Sequence, residues 1–317
     1  MDTFFDSSWY YLRYCDNKNS KEAFDKKKVE YWMPVEQYIG GAEHACMHLI
    51  YARFFTKALR DLGFLKFDEP FLSLFNQGML HRPYGEKMSK SKGNVVLPDE
   101  VSKKYGMDIA RLFLMSQASA DKDTNWSDSG IEGSLKIINR IFAYFSSFKA
   151  GKSSAKIESK INKTIKEVEQ DIENFRYNFA IIKIRALFEA FEIGKEASKR
   201  DAESFLKILH PFCPHITEEL WQKMGNKNFI SLEKWPEYDE SKINEKFEQQ
   251  EKNFDKTISD IVNVMNIVKQ KSGKEASKIY IYVIPNEFEQ YNSEAIAKRV
   301  GKEVFVFKVN DKNKYDP

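Results

Sequence analysis

The sequence is poor in the residues that stabilise secreted or zinc-dependent domains. Its three cysteines, Cys15, Cys46 and Cys213, lie far apart and form no Cys-x-x-Cys pair, so neither a disulfide framework nor a zinc site is suggested. No apolar run reaches the roughly 18 residues that a membrane span needs. The first residues also lack the basic-then-apolar pattern of a signal peptide. We therefore expect a cytoplasmic protein without a membrane partner.

An excess of charge of either sign is also lacking. The formal net charge is only +3, from 50 lysines and arginines against 47 aspartates and glutamates. A charge this small neither demands nor excludes RNA, and any basic surface must be local. A hydrophobic content of 42% and a charged content of 31% describe a soluble globular protein. In 317 residues there is room for two domains and a small third one.

The N-terminal part, residues 1–117, alternates short apolar runs with amphipathic ones, as α/β domains do. Gly40 and Gly41 make a turn after a strand, and Gly106 stops a helix. We predict two strands and three helices, namely strands Gln37 to Ile39 and Phe71 to Leu80 and helices Glu43 to Arg60, Pro98 to Lys104 and Asp108 to Met115.

A polar connector, Asp121 to Ser134, leads into a helical part. From Leu135 to Lys223 the pattern is helical, interrupted by a lysine- and serine-rich segment from Lys149 to Lys160. Five apolar residues recur at steps of three and four, which predicts one face of a bundle helix. They are Ile172, Phe175, Phe179, Ile182 and Ala186.

The C-terminal part has the pattern of one long helix followed by a small α/β unit. We predict a helix from Lys246 to Lys271, then two strands, Lys278 to Pro285 and Glu303 to Val309, around a helix from Ser293 to Val300. The predicted fold is thus α/β, then an α-helical bundle, then a small α/β unit. The boundaries we assign are residues 1–117, a connector at 118–145, the helical domain at 146–271 and the C-terminal unit at 272–317.

The most informative segment is the basic run Lys87-Met88-Ser89-Lys90-Ser91, followed by Lys92-Gly93-Asn94. Ammonium groups, hydroxyls and backbone N–H groups on a glycine-flanked loop can wrap a polyphosphate. A solvated basic turn is the alternative for such a pentapeptide in general.

A second candidate site lies where the first predicted strand turns into a helix. Gly40 and Gly41 would place backbone N–H groups and a helix N-terminus at the strand end, where nucleotides bind. Glu43 could accept ribose hydroxyls, and His44 and His48 are one helical turn apart. A zinc site is an alternative for the two histidines, but no third ligand is evident. Histidines of a core without function are the other alternative.

These segments resemble class I aminoacyl-tRNA synthetases. The run from Lys87 to Ser91 resembles their second signature. The segment Gln37 to His44, with His48 and Tyr51 to Phe55, is similar to the leucine- and adenylate-binding segment of leucyl-tRNA synthetases. Asp123 to Gly133 matches the junction to their helical domain, and Met1 to Arg13 matches the stretch where their catalytic domain resumes after the editing insertion.

The resemblance implies that residues 1–117 are the second half of a Rossmann-like catalytic domain, which activates leucine with ATP and Mg²⁺. It implies catalytic roles for Lys87 and Lys90 and a leucine pocket at Tyr38, His44 and His48. The residues it implies for binding ATP or the adenylate are Gly40, Gly41, Glu43, Gly78, Met79, Met88, Ser89 and Ser91. No protein-bound zinc or other metal is expected.

The resemblance also implies partners. By this resemblance, the helical domain at 146–271 would bind the body of tRNA(Leu). The basic segment Lys149 to Lys166 could contact tRNA phosphates or be a solvated face. Trp9, Tyr10 and Tyr11 could stack on RNA bases, although an apolar wall is the favoured interpretation. Structural roles are predicted for four further residues, Trp126, Trp221, His210 and His215.

Three family features are absent from the sequence. The first class I signature, His-x-Gly-His, is not there, and neither is the editing insertion. Between Met79 and Lys87 there is room only for a short loop, so a leucine-specific insertion is missing as well. We therefore expect half an active site, which needs an N-terminal half or subunit to form leucyl-adenylate. The alternative is a non-catalytic tRNA-binding or structural remnant of a synthetase.

Overall fold

The computed structural model describes residues 4–82, 85, 88, 95–194 and 197–311. The chain divides into two compact units, one made of Met1–Lys152 and Thr164–Tyr238 and the other of Ser153–Lys163 and Asp239–Pro317. Within the described ranges, no helix has both the length and the apolar character that crossing a bilayer requires.

The first unit begins with two parallel strands, β1 (Tyr38–Gly41) and β2 (Leu74–Gln77), which pair with Tyr38 opposite Leu74 and Gly41 opposite Gln77. Three helices accompany them: α1 (Tyr10–Tyr14), α2 (Lys26–Trp32) and α3 (His48–Asp61). Asp25 caps α2 by accepting from two backbone N–H groups of its first turn. The core of this part is formed by Tyr11, Leu12, Phe24, Val29, Met33, Ala52 and Leu65.

A second strand pair and two helices follow. The pair consists of β3 (Leu80–His81) and β4 (Thr124–Asn125), which are parallel. The helices are α4 (Pro98–Tyr105) and α5 (Met107–Gln117), separated by Gly106 at φ 88°. Their positions confirm the predicted helices to within two residues. Their core contains Val101, Ala110, Phe113, Trp126 and Ile131.

The helical part of this unit contains five helices: α6 (Asp128–Ser146), α7 (Ala155–Glu173), α8 (Tyr177–Gly194), α9 (Lys199–Leu209) and α10 (Pro214–Lys223). Ser127 caps α6 and Ser198 caps α9 through their side-chain oxygens. Phenylalanine rings fill the centre, with Phe145 stacked on Phe205 at 5.2 Å between centroids. Residues 155–163 of α7 are counted in the second unit.

One buried carboxylate fastens α10 to α5. Asp108 of α5 is only 5% exposed. Its Oδ2 accepts from the backbone N–H of Ile216 at 2.7 Å, and its Oδ1 lies 2.7 Å from His215 Nδ1. Cys213, the residue that precedes α10, makes no side-chain cap, so Asp108 of α5 caps this helix instead. A negative group at the N-terminus of α10 is also stabilised by the helix dipole.

The second unit confirms the predicted C-terminal pattern. Helix α11 (Glu245–Ser272) is followed by β5 (Lys278–Val283), α12 (Ser293–Val300) and β6 (Glu303–Lys308). The two strands are parallel, with Lys278 opposite Glu303. Both helices end at a glycine in the left-handed region, Gly273 at φ 68° and Gly301 at φ 69°.

Several predicted boundaries are wrong. The strand predicted from Phe71 to Leu80 is two short strands in separate sheets, β2 and β3, and Gly40 and Gly41, predicted as a turn, are the end of β1. The helix predicted from Glu43 begins at His48, because a 3-10 helix at Ala42–Cys46 comes first and Met47 bends the backbone to φ −127° and ψ −98°. The segment predicted as a polar connector contains the start of α6. Its serines and aspartates are the cap and first turn of that helix, with Ser127 accepting from the backbone N–H of Gly130.

The predicted bundle face from Ile172 to Ala186 is also wrong. Phe179 and Ile182 are 47% and 57% exposed, because the pattern runs through a turn between α7 and α8 at Phe175. The buried face of α8 instead carries Ala180, Ile181, Ile184, Leu187, Phe188 and Phe191.

The turn itself has the hydrogen bonds of a helix C-cap. The N–H of Phe175 donates to Ile172 O at 3.1 Å and the N–H of Arg176 to Asp171 O at 2.7 Å. Phe175 has φ 58°, a conformation that costs an L-residue other than glycine roughly 1–2 kcal/mol.

Removal of the Asp108 carboxylate should destabilise the first unit. We expect Asp108→Ala to lower the free energy of unfolding by about 1–2 kcal/mol, since a helix cap is lost and the part-buried Ile216 N–H is left unpaired. Asp108→Asn should lose less, because the amide oxygen can still accept from that N–H. Denaturant unfolding followed by circular dichroism measures the change. Glu219→Ala, which removes an exposed carboxylate of α10, is the control, and an equal loss there would contradict the capping role.

Candidate functional site

A cleft of about 370 Å³ lies beside β1 and β2, and its lining includes the last residue of each strand, Gly41 and Gln77. The carboxyl ends of parallel strands are where α/β domains bind nucleotides and small substrates. The lining residues come from the N-terminal segment, both strands and the start of α3. They are Phe4, Ser7, Tyr10, Tyr38, Ile39, Gly40, Gly41, His44, His48, Leu49, Leu74 and Gln77.

Three polar side chains of the cleft form a hydrogen-bonded chain. The hydroxyls of Tyr10 and Tyr38 are 2.8 Å apart, and the Tyr38 hydroxyl is 2.9 Å from His48 Nε2. The Tyr38 ring is stacked on Phe71, with 3.8 Å between centroids and 12° between planes. Because aromatic stacking fixes the ring and two hydrogen bonds fix its hydroxyl, Tyr38 holds the imidazole of His48 in one orientation.

The electrostatics of this chain keep it neutral. Burial, together with the nearby His44, lowers the pKa of His48 below its ordinary value. Burial, with the hydrogen bond from Tyr10 next, raises the pKa of Tyr38. His48 is only 7% exposed, and its Nδ1 has no hydrogen-bond partner among the described residues. Nδ1 is therefore a buried polar atom, without a described hydrogen-bond partner, on a residue that lines the cleft.

Of the other residues predicted for this site, His44, Gly40 and Gly41 line the cleft and Glu43 is next to them in the sequence. His44 lies in the 3-10 helix, and its ring is 6.1 Å from that of His48, at 86°. Glu43 is exposed, and its carboxylate folds over Gly41, so that a Cβ there would meet it. At Gly40, an added Cβ would come no closer than 4.0 Å to any other group, namely Tyr38. The structure thus brings Tyr38, His48 and the two glycines together.

Gly78 and Met79 are held by the segment before β4. A Cβ at Gly78 would overlap the carbonyl group of Lys122, so only glycine allows these two backbones to approach. The Met79 N–H donates to Asp123 Oδ1 at 2.7 Å, and His81 Nε2 is 3.3 Å from Asp123 Oδ2. These contacts, in that order, lower the pKa of the Asp123 carboxyl.

Sequence reasoning did not assign Asp123 this holding role. The one available signal was its place at the start of the segment that resembles the family junction. Asp123 holds Met79 and His81, which precede the basic run that begins at Lys87.

Four of the residues predicted in the basic run, Lys87, Ser89, Lys90 and Ser91, lie outside the described residues. Met88 is described, and it packs against the core cluster around Phe113 and Trp126. The apolar residue inside this run of lysines and serines is therefore an attachment to the domain core.

The remaining predicted structural residues are placed as expected. Trp126 and Trp221 are buried, 7% and 3% exposed. His210 Nδ1 is 2.7 Å from Thr217 Oγ1, and His215 contacts Asp108 as described above.

Tyr11 is excluded from stacking on RNA bases. It is 5% exposed, its hydroxyl is bonded to Ala52 O and Thr56, and burial raises its pKa to about 12. In the described part of the chain, no group of three or more His, Cys, Asp or Glu side chains is arranged to hold a metal ion.

Two family models match the chain. Residues 1–127 match the class I tRNA synthetases for isoleucine, leucine, methionine and valine, and residues 154–283 match the anticodon-binding domain of tRNA ligases. Two methionyl-tRNA synthetase structures from Mycobacterium tuberculosis share the fold, with TM-scores of 0.52 and 0.54 at 18% and 17% identity.

The most similar proteins include leucine–tRNA ligases. That of Caldanaerobacter subterraneus subsp. tengcongensis is 44% identical over 263 residues, 77% of this chain and 32% of that protein. That of Fervidobacterium nodosum is 40% identical over 314 residues, 92% of this chain and 36% of that protein. The Agrobacterium radiobacter LeuRS in its ternary complex with tRNA and LeuAMS has a TM-score of 0.70 at 36% identity, covering 77% of this chain and 34% of that one.

The chain spans about a third of the length of the curated relatives it matches. Both halves of the match, catalytic and helical, agree with the fold described above. The chain therefore belongs to the leucine–tRNA ligase family of class I aminoacyl-tRNA synthetases.

Proposed function

We propose that this chain supplies the second half of the active site of a leucine–tRNA ligase. Together with an N-terminal half, it activates leucine with ATP and transfers it to tRNA(Leu) in the cytoplasm. The observation that carries the proposal is the cleft at the end of β1, where the Tyr10–Tyr38–His48 chain and Gly40-Gly41 meet. A family member without this activity would not require either feature.

The reaction has two steps. A carboxylate oxygen of leucine attacks the α-phosphorus of ATP, the bond to the β-phosphate breaks, and pyrophosphate leaves. A terminal ribose hydroxyl of tRNA(Leu) then attacks the leucyl carbonyl carbon and AMP leaves. Negative charge grows on the phosphate oxygens in the first step, so positioned cations accelerate it, and Mg²⁺ enters with ATP as part of the substrate. We assign that role to Lys87 and Lys90, with Ser89 and Ser91 donating to phosphate or fixing the loop.

The cleft suits the other parts of the adenylate. Gly40 leaves open space at the strand end, so an adenosine could lie flat against the backbone. Glu43, exposed at the rim, could accept from ribose hydroxyls. The leucine side chain would contact Tyr38, His44 and His48. A neutral imidazole is the appropriate form for an apolar ligand, and the lowered pKa of His48 provides it.

An N-terminal half is supported by apolar surface around the cleft. Among the described residues, the sheet formed by β1 and β2 has two strands, a size that is marginal without further support. Ile39 and Leu74 on these strands are 50% and 44% exposed. Ile50 and Phe54, four residues apart on α3, are exposed as well. Large exposed apolar side chains in one region are typical of protein contacts.

The missing partner can be tested by leucine-dependent exchange of pyrophosphate into ATP. The isolated chain should show no exchange above background, and addition of a chain with the His-x-Gly-His element and the editing domain should restore it. Robust exchange by the isolated chain would refute the half-site proposal. Filter binding of tRNA(Leu), with no exchange in any mixture, would support the non-catalytic remnant instead.

The basic run should act on the chemical step. In the reconstituted enzyme, we expect Lys90→Ala to lower kcat of exchange by about 10²–10³-fold, the loss seen when one charge-stabilising group is removed, with little change in the KM for leucine. Lys27→Ala, at an exposed position of α2, is the matched control. Unchanged turnover with a raised leucine KM would argue against the assignment.

The Tyr38 hydroxyl should act on leucine binding. Tyr38→Phe keeps the stacked ring and removes the bond to His48, which leaves a buried imidazole nitrogen unpaired. An unpaired buried polar group costs about 1–3 kcal/mol. The KM for leucine should therefore rise roughly 5- to 150-fold while the KM for ATP stays within twofold. Tyr14→Phe, which removes the hydroxyl of an exposed tyrosine in α1, is the control. Equal effects on both KM values would count against a leucine-specific role.

A further inference from the structure

Phe175 is the one non-glycine residue with a positive φ in the described part of the chain. It occupies the position after α7 where helices favour glycine. The chain itself uses glycine at the same position after α11 and α12. A phenylalanine here therefore needs a side-chain contact that offsets the strained backbone.

The contact is with strand β2. The Phe175 ring is stacked on Phe75 of β2, with 4.5 Å between centroids and 23° between planes. It also meets Tyr177 edge-on, at 6.1 Å and 84°. A stacked aromatic pair adds stability beyond the area that it buries.

Phe75 lies in the strand that borders the cleft. It pairs with Ile39 of β1, and its neighbour Leu74 lines the cleft. Because successive side chains of a strand point to opposite faces, Phe75 lies behind the strand when seen from Leu74. The Phe175 ring thus contacts β2 on the face opposite Leu74, which also carries two lining residues of the cleft, Ile39 and Gln77.

The base of this support is fixed. The Asp171 carboxylate, 1% exposed, accepts from Lys183 Nζ at 2.6 Å and from Arg176 Nη2 at 2.9 Å. Together with the two backbone hydrogen bonds of the turn, these ion pairs join the end of α7 to the start of α8. The ring of Phe175 is therefore presented to β2 from a rigid turn.

We propose that Phe175 is a positioning residue, which braces strand β2 through Phe75 and thereby holds the wall of the cleft in its binding geometry. The bracing needs only the contacts above. Its consequence for leucine binding rests on the function proposed for the cleft.

Amide hydrogen exchange of the chain tests the bracing directly. In Phe175→Ala, amides of Tyr38–Gly41 and Leu74–Gln77 should exchange about 3- to 10-fold faster, the factor that an aromatic pair supplies. Phe175→Gly should give the same acceleration in these strands, although it relieves the backbone strain and so unfolds at a higher temperature than Phe175→Ala. Phe179→Ala, at an exposed phenylalanine of α8, should leave these strands within twofold of the original chain.

Two outcomes would overturn the bracing. One is an acceleration spread evenly over the whole unit, which shows a general loss of stability. The other is normal protection of β1 and β2 in Phe175→Gly, which shows that the backbone conformation matters and the ring does not.

Exchange of pyrophosphate in the reconstituted enzyme tests the consequence. Phe175→Ala and Phe175→Gly should raise the KM for leucine about 3- to 10-fold with kcat within twofold, and Phe175→Tyr should restore it. A fall in kcat at constant KM, without rescue by Phe175→Tyr, would refute the positioning role. Faster amide exchange together with an inactive original mixture would refute the proposed function and leave the bracing supported. An active mixture with unchanged amide exchange would do the reverse.

Discussion

The first unit depends on the buried carboxylate of Asp108. One carboxylate oxygen accepts from the backbone N–H of Ile216, and the other is hydrogen-bonded to the ring of His215. Asp108 thus attaches α10 to α5. Arg111, one turn along α5, donates to the carbonyl of Pro211 at 2.7 Å and extends the attachment. A buried charge is tolerated only where such partners surround it. These contacts hold the turn between α9 and α10 against α5. Helix α5 also carries Phe113, part of the core cluster against which Met88 packs.

This attachment explains why the cleft can be built from short elements. The two-stranded sheet has little core of its own, and its wall is held by aromatic contacts: Phe71 against Tyr38 on one strand and Phe175 against Phe75 on the other. The second of these contacts comes from the helical part, which Asp108 keeps in place. The turn between α7 and α8 thus contributes an aromatic contact to β2, which borders the cleft. The polar chain from Tyr10 to His48 then needs only to orient one imidazole.

How much could be predicted from the sequence depended on the range of the interaction. Helix α11 and the strands around α12 were predicted closely, because these elements follow from the local sequence pattern. The kink at Met47 left no periodic signal, and neither did the turn at Phe175. The roles of Asp108 and Asp123 depend on partners 108 and 44 residues away, which no local pattern encodes. Residues of the cleft were found through motif resemblance, since neither composition nor spacing distinguishes a ligand-binding histidine from a core one.

Gly78 shows how such a site can mislead a mutational survey. Its backbone lies against the carbonyl of Lys122, so every other side chain would push away the segment that carries Asp123, and with it the support of Met79. A saturation scan would therefore score this glycine as intolerant of every replacement, whether or not a nucleotide touches it. In this part of the fold, intolerance to substitution measures how closely two backbones pass, and contact with a ligand has to be demonstrated separately.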